Sequence, residues 1–306
     1  MKVRRRKTTQ LERSHQTPTI PRWVGPVIIG GAFLAIFIAE TRRPLRRQRE
    51  SRGVRTSRNF TIAGLSAASM ALLQPALLLP LFRRIEKDRL GLLHRMELST
   101  AARTLLGVLL LDYTLWWWHW LNHKVPFFWR FHLAHHVDRD LDASTAIRFH
   151  FGEMSLSVLF RMLQVRVFGI SELSMSVWQL LLMPAIFFQH SNLELTPEQD
   201  RDLSRWVVTP RMHGIHHSDY QNETDSNWSS LFSVWDFLHG TFREDIPQQS
   251  IRIGVAAWQD PDDVTLPKII QIPFIEQRED WRNEMGDLQI EREDPMESTE
   301  GPTVAS

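Results

Sequence analysis

Eleven of the 13 histidines in this 306-residue chain lie between His119 and His239. Nine of them fall into four short groups. His119 and His123 form an H-x-x-x-H, and His132, His135 and His136 form an H-x-x-H-H. His190 precedes Ser191 and Asn192, and His213, His216 and His217 repeat the H-x-x-H-H. Residues three or four apart share one face of a helix, so each group can aim its imidazoles at one point. Nine imidazoles are more than one metal ion can use, and the count predicts two metals close together. Imidazole suits zinc, copper, iron and nickel, so the ligand type does not choose among them. Zinc would give hydrolysis or a structural site. Two irons facing an apolar phase would suit O2 activation and attack on an unactivated C–H bond, chemistry that cofactors perform and side chains do not. His150 is a weaker candidate and His239 weaker again, while His15 and His94 lie outside the series.

The elements that must position these groups look like membrane helices. Trp23 to Ala39 is 17 residues without a charge, and Phe60 to Phe82 is 23. The second is long enough to span, with Pro75 and Pro80 as kinks. The first reads as a short span or re-entrant segment rather than a signal peptide, since Glu40-Thr41-Arg42-Arg43-Pro44 is no small-residue cleavage site. A third span is expected near Thr104–Trp120, with Asp112 inside it as either a functional acid or a helix-end residue. Trp116, Trp117, Trp118, Trp120 and Trp129 suggest an interfacial aromatic belt. Residues 154–188 suggest a helical hairpin that enters the bilayer and returns. The expected fold is therefore all-α: an integral membrane helical bundle with a cytoplasmic, histidine-rich di-metal cap.

Charge supplies the orientation. Lys and Arg number 36 against 35 Asp and Glu, but residues 1–58 hold 15 basic residues against 3 acidic, and residues 276–306 hold 10 acidic against 3 Arg. Residues 1–22 and 276–306 read as disordered basic and acidic tails, flanking N-terminal membrane helices at 23–98 and a catalytic region at 99–275. Eight Arg lie in residues 41–59, and the positive-inside rule puts that loop, and the histidines with it, on the cytoplasmic side of a multi-pass protein. The loop's Arg could also dock an electron donor or bind lipid headgroups. With no Cys in the chain, disulfides, Cys-held zinc or iron–sulfur and thiolate haem are excluded. No G-x-G-x-x-G or nucleic-acid-binding motif is present.

The ordered histidine groups resemble the boxes of the fatty acid hydroxylase/sterol desaturase superfamily, in particular its bacterial sterol desaturase members. Three connecting stretches add to the likeness. Arg148-Phe149-His150-Phe151-Gly152-Glu153 resembles the family's Arg-x-His-x-x-Glu, and Phe188-Gln189-His190-Ser191-Asn192 its His-Ser-Asn segment. The run from His216 through Asn227 to Trp235-Asp236 resembles its last signature block. The resemblance covers about residues 40–245. It implies a membrane, O2-dependent di-iron oxidoreductase that hydroxylates or desaturates a lipid such as a fatty acyl chain or sterol. It also implies that the nine box histidines are the metal ligands, with His150 more weakly so and no catalytic residue beyond them. Asp138, Glu153, Asp219 and Asp236 are expected to orient ligand imidazoles. No His-Pro-Gly-Gly haem segment occurs, so electrons would come from a separate donor protein. Leu238-His239-Gly240-Thr241 and Phe151 depart from the family pattern at places that bear on the substrate subtype. The alternatives are a membrane zinc hydrolase using the same cage, and a metal-binding or transport protein without catalysis.

Overall fold

The computed structural model describes residues 20–292, and the expectations for residues 1–19 and 293–306 lie outside them. Among the described residues the chain is all helical. It has no strand, only single-residue bridges such as Val207 with Phe232. The helices are α1 (Val24–Arg42), α2 (Arg52–Asp88), α3 (Thr100–Lys124), α4 (Pro126–His136), α5 (Phe151–Phe168), α6 (Glu172–His190), α7 (Pro197–Ser204), α8 (Pro210–His216), α9 (Gln221–Thr224), α10 (Val234–His239) and α11 (Leu266–Gln271).

Two of them, α1 and α2, are long and apolar enough to cross a membrane, and little of either is buried within the protein. Leu34 on α1 and Leu72 on α2 face outward. α2 contains both Pro75 and Pro80. Such helices tolerate proline because neighbours re-satisfy the freed carbonyls. α3 does not join them as a third candidate span. It is an inner helix that buries Leu111, Asp112, Trp116 and Trp118. The expected pair at 154–188 is present as α5 and α6, joined by residues 169–171. Gly169 closes α5 in the left-handed region at φ 72° and lies against Gly91 (φ 93°), an approach that only glycines allow. Ser99, Ser171 and Thr209 cap α3, α6 and α8 through their side chains.

α2 packs along α5, α3 along α6 and α4, and α1 along α6. Leu78, Ile85, Leu111, Val165 and Trp178 form the core of this bundle. A second core joins α4 to the late chain, with Leu133, Val137, Val255, Trp258 and Ile269 fully interior. α2 reaches both, because Ile62 belongs to the second core.

Three regions flagged from sequence take definite form here. The Arg-rich stretch is turned inward only in part, since Arg42, Arg43, Arg47 and Arg49 stay exposed. Arg55 is fully buried against Asp138 and Asp142, Arg58 meets Glu50, and the Arg49 backbone N–H donates to Asp140. Aspartates placed just after the second histidine group attract these cations, which composition cannot show. Of the five tryptophans near the boxes, Trp117 is exposed and Trp120 and Trp129 are half-buried. Trp116 and Trp118 are buried: Trp116 donates to Asp236 at 2.9 Å and Trp118 packs against Phe128 and Phe160, while Trp129 donates to Asp280 at 2.7 Å. The acidic tail does not begin at Glu276. Residues 276–292 fold back on the cap: Asp280 accepts from Trp129 and Trp258, and Arg292 pairs with Glu223 at 2.8 Å. Its aromatic Trp281 stacks on Trp129, an anchor that its net charge obscures.

Candidate metal centre

Helix spacing carries the imidazoles inward. α3 supplies His119 and His123 one turn apart, and α4 ends in His132, His135 and His136. α6 ends at His190, while α8 supplies His213 and His216, with His217 at its cap. They sort into two groups. His119, His123, His132, His136 and His216 each bring a ring nitrogen within 4.8 Å of the others, and so do His135, His190, His213 and His217. The groups adjoin, since His136 stacks on His217 with centroids 4.2 Å apart.

One nitrogen of several rings is already committed. Nδ1 of His119 bonds the Trp228 carbonyl, that of His190 the Ile186 carbonyl and that of His216 the Ser226 carbonyl, each at 2.8 Å. His132 Nδ1 meets Glu153 Oε1 at 2.9 Å. A ring that donates from Nδ1 has its lone pair on Nε2. In the five-imidazole group, Nε2 of His123, His132, His136 and His216 is buried with no hydrogen-bond partner. In the four-imidazole group the Nε2 atoms converge: His135 to His190 is 3.1 Å, His190 to His213 is 2.9 Å, and His213 to His217 is 3.2 Å. Burial, reinforced by neighbouring imidazoles, pushes His123, His135, His136, His213 and His217 well below the usual histidine range, and His216 to about 3. The rings are therefore neutral at physiological pH, the form that binds metal. Orphaned lone pairs converging in two buried clusters are a donor set that fits two imidazole-preferring cations.

A collar of ion pairs fixes this arrangement. Asp138 accepts from Arg55 at 3.0 Å, Asn59 at 3.1 Å and Thr145 at 2.8 Å. Burial alone would raise its carboxyl, but Arg55, Arg148 and Arg58 outweigh burial and hold it at about 2. Arg148 in turn donates to the Ala134 carbonyl at 2.8 Å, inside the second histidine group. Glu40 at the end of α1 accepts the backbone N–H groups of Ala143 and Asn192, and Asn192 exchanges two hydrogen bonds with the Arg46 backbone. Gly214 lies between two histidines of α8 because the Arg46 guanidinium occupies the space a side chain would fill.

Of the four acids named from sequence, Glu153 alone bonds a box imidazole. Asp236 acts one step removed: it accepts the N–H groups of Trp228 and Ser229, and Trp228 carries the carbonyl that holds His119. Asp138 and Asp219 touch no imidazole, and Asp219, raised to about 6 by burial, faces Arg252. His150 is not brought into either group. Its Nδ1 accepts the Gly152 N–H and caps α5, and its Nε2 faces the Ile270 carbonyl. His239 stacks on Trp116 outside both groups. Sequence reading missed the carbonyls of Ile186, Ser226 and Trp228, and also Phe149, which stacks on His135 at 4.4 Å. No side-chain signal marks a backbone acceptor. Asp112 accepts from the Phe232 N–H and Trp235 Nε1–H, tying α3 to the segment before α10.

A cavity of about 360 Å³ opens against the imidazoles, with His119, His132, His135, His190 and His213 on one wall and largely apolar side chains elsewhere. On the other side a cleft of about 280 Å³ reaches His123 between Trp129 and Trp281.

Residues 104–241 match the fatty acid hydroxylase family model, and that span holds all nine clustered histidines. Over this region the chain is similar to the fatty acid hydroxylase family. Curated proteins similar to this region are named as lipid hydroxylases and monooxygenases. An ornithine lipid hydroxylase of Rhizobium tropici is 28% identical over 156 residues, 51% of this chain and 46% of the relative. An alkylglycerol monooxygenase of Xenopus tropicalis is 30% identical over 142 residues, 45% of this chain and 29% of the relative. A cholesterol 25-hydroxylase of Mus musculus is 27% identical over 144 residues, 46% of this chain and 47% of the relative. The chain thus spans less than half the length of these relatives. No solved structure matches it.

Proposed function

We propose that this chain is a multi-pass membrane enzyme that hydroxylates or desaturates a C–H bond of a lipid, using O2, a di-iron centre and a separate electron-donor protein. The observation that carries the reading is the placement of nine imidazoles in two clusters against an apolar cavity. His119, His123, His132, His136 and His216 would hold one ion, and His135, His190, His213 and His217 the other. When bound, two irons supply reductive O2 activation and the power to take hydrogen from an unactivated carbon. Glu153 and the three carbonyls keep Nε2 of their imidazoles aimed inward. The apolar wall excludes water and accepts a hydrocarbon, which favours oxidation over the zinc hydrolase alternative. The Arg-rich loop is hydrogen-bonded to the histidine cap through Arg46 and Arg49. Loop and cap therefore share a side, which the positive-inside rule assigns to the cytoplasm.

The test is O2 uptake by detergent-purified, anaerobically reduced protein. Uptake stimulated by lipid and abolished in His135→Ala and His216→Ala is expected. Stoichiometric zinc, with no iron-dependent uptake after reconstitution, would overturn the reading and favour the hydrolase.

A further inference from the structure

The cavity that meets the imidazoles is lined by a cation, Arg161, that no carboxylate among the described residues neutralises. Arg161 lies midway along α5 and lines the cavity with Met154 and Ser157. These positions are i, i+3 and i+7, one helical face. Leu159 and Leu163 on the same helix point outward, 55% and 57% exposed, so the surface at this level is hydrocarbon-like. A charge at such a level ordinarily has a partner or a function. Arg55 and Arg148 follow the first rule, each facing a carboxylate. Arg161 does not. Among the described residues no hydrogen bond or ion pair meets its guanidinium, and its Nε is buried without a partner. Its neighbour is the Trp178 ring, whose centroid lies 5.2 Å from Cζ. The indole face orients the cation and leaves its N–H donors free for another acceptor.

The spacing along α5 gives the separation between this cation and the metal end. Along α5, Arg161 is eight residues beyond Glu153, the partner of His132, and a rise of 1.5 Å per residue makes that about 12 Å. Leu182 and Met183 of α6 line the same cavity, on the helix that ends at His190. Between the two ends the lining is largely apolar. A guanidinium at one end of such a cavity matches an oxyanion, which it can bind through two parallel N–H donors.

We infer that Arg161 binds the oxyanion head of the lipid, a carboxylate or a phosphate, and so sets which carbon lies beside the imidazoles, about 12 Å along the chain. The substrate class is an anionic single-chain lipid rather than a neutral sterol or ether. This rests on the proposed reading of the cavity as the lipid site.

The test is displacement of a fluorescent fatty acid from detergent-solubilised protein at about pH 8, where a carboxyl group is ionised. Palmitate, hexadecyl phosphate and methyl palmitate are the competitors. At least one anion should bind about tenfold tighter than the ester, as expected for charge-assisted hydrogen bonds. Arg161→Met should abolish that preference and Arg161→Lys should keep part of it. Whichever anion responds identifies the head. Equal binding of all three by the unsubstituted protein would overturn the inference, and so would an anion preference that survives Arg161→Met. The comparison on the unsubstituted protein decides the matter even if a variant fails to fold. Metal content, measured on the same samples, should stay unchanged because Arg161 touches no imidazole. Loss of O2 uptake with every lipid, while the anion preference stands, would defeat the hydroxylase reading and leave this one intact.

Discussion

Replacing Glu153 with Gln should weaken one metal and spare the other. Glu153 Oε1 lies 2.9 Å from His132 Nδ1, and its other carboxylate oxygen has no hydrogen-bond partner. His132 belongs to the five-imidazole group alone. A carboxylate acceptor makes the imidazole more basic and fixes its tautomer, and losing such an acceptor costs 10- to 100-fold in metal affinity. Glutamine keeps an acceptor oxygen and removes the charge. Hydrogen bonds to charged groups contribute about 1.5–3 kcal/mol against about 0.5–1.5 for neutral ones, so the loss is about 1–1.5 kcal/mol, near tenfold. Glu153→Ala removes the acceptor as well and should approach the upper end of the range. Competition against a chelator of known affinity, on purified protein, resolves two binding steps. The weaker step in Glu153→Gln should shift about tenfold while the other stays in place. Equal weakening of both steps, or no shift in either, would refute the assignment of Glu153 to a single cluster.

Other consequences are as direct. Asp138→Ala leaves Arg148 and part of Arg55 uncompensated in the interior, and should cost about 3–5 kcal/mol, read as a fall in thermal midpoint in detergent; Arg55→Met should not add fully to it, because the two share one network. His150→Ala should retain both metals, since His150 lies in neither cluster; loss of a metal would restore the sequence-based assignment. The metal-free protein should lose stability as pH falls below about 6.5. There the unfolded chain takes up protons that rings such as His216, held at about 3, refuse in the folded state; a midpoint that is flat between about pH 8 and 5 would contradict this. Asp280→Ala removes the acceptor of two indole N–H groups and should cost about 1–3 kcal/mol locally, seen as faster proteolysis at Arg278 and Arg282.

The histidine boxes were legible because their spacing is helical: positions three and four apart meet on one face wherever the helix lies. Their division into five and four was not, because His216 joins α3 and α4 while its neighbour His217 joins His190, and only tertiary packing decides that. His150 misled for the same reason in reverse, being near Glu153 in sequence yet placed outside the helix as a cap. The long apolar helices were readable from length alone. The burial of Arg55 was not legible, because charge counting cannot see Asp138 and Asp142 across the fold. The segment after Glu276 was misjudged because two indoles, Trp129 and Trp258, turn an acidic residue into an anchor.

The most direct test of the two-cluster centre is the metal stoichiometry of protein made with iron in excess. Two irons per chain are expected, falling to about one when either His190 or His123 is replaced by Ala, each variant keeping the other cluster's ion. One metal per unsubstituted chain, or loss of both metals together from either variant, would contradict two separate imidazole clusters.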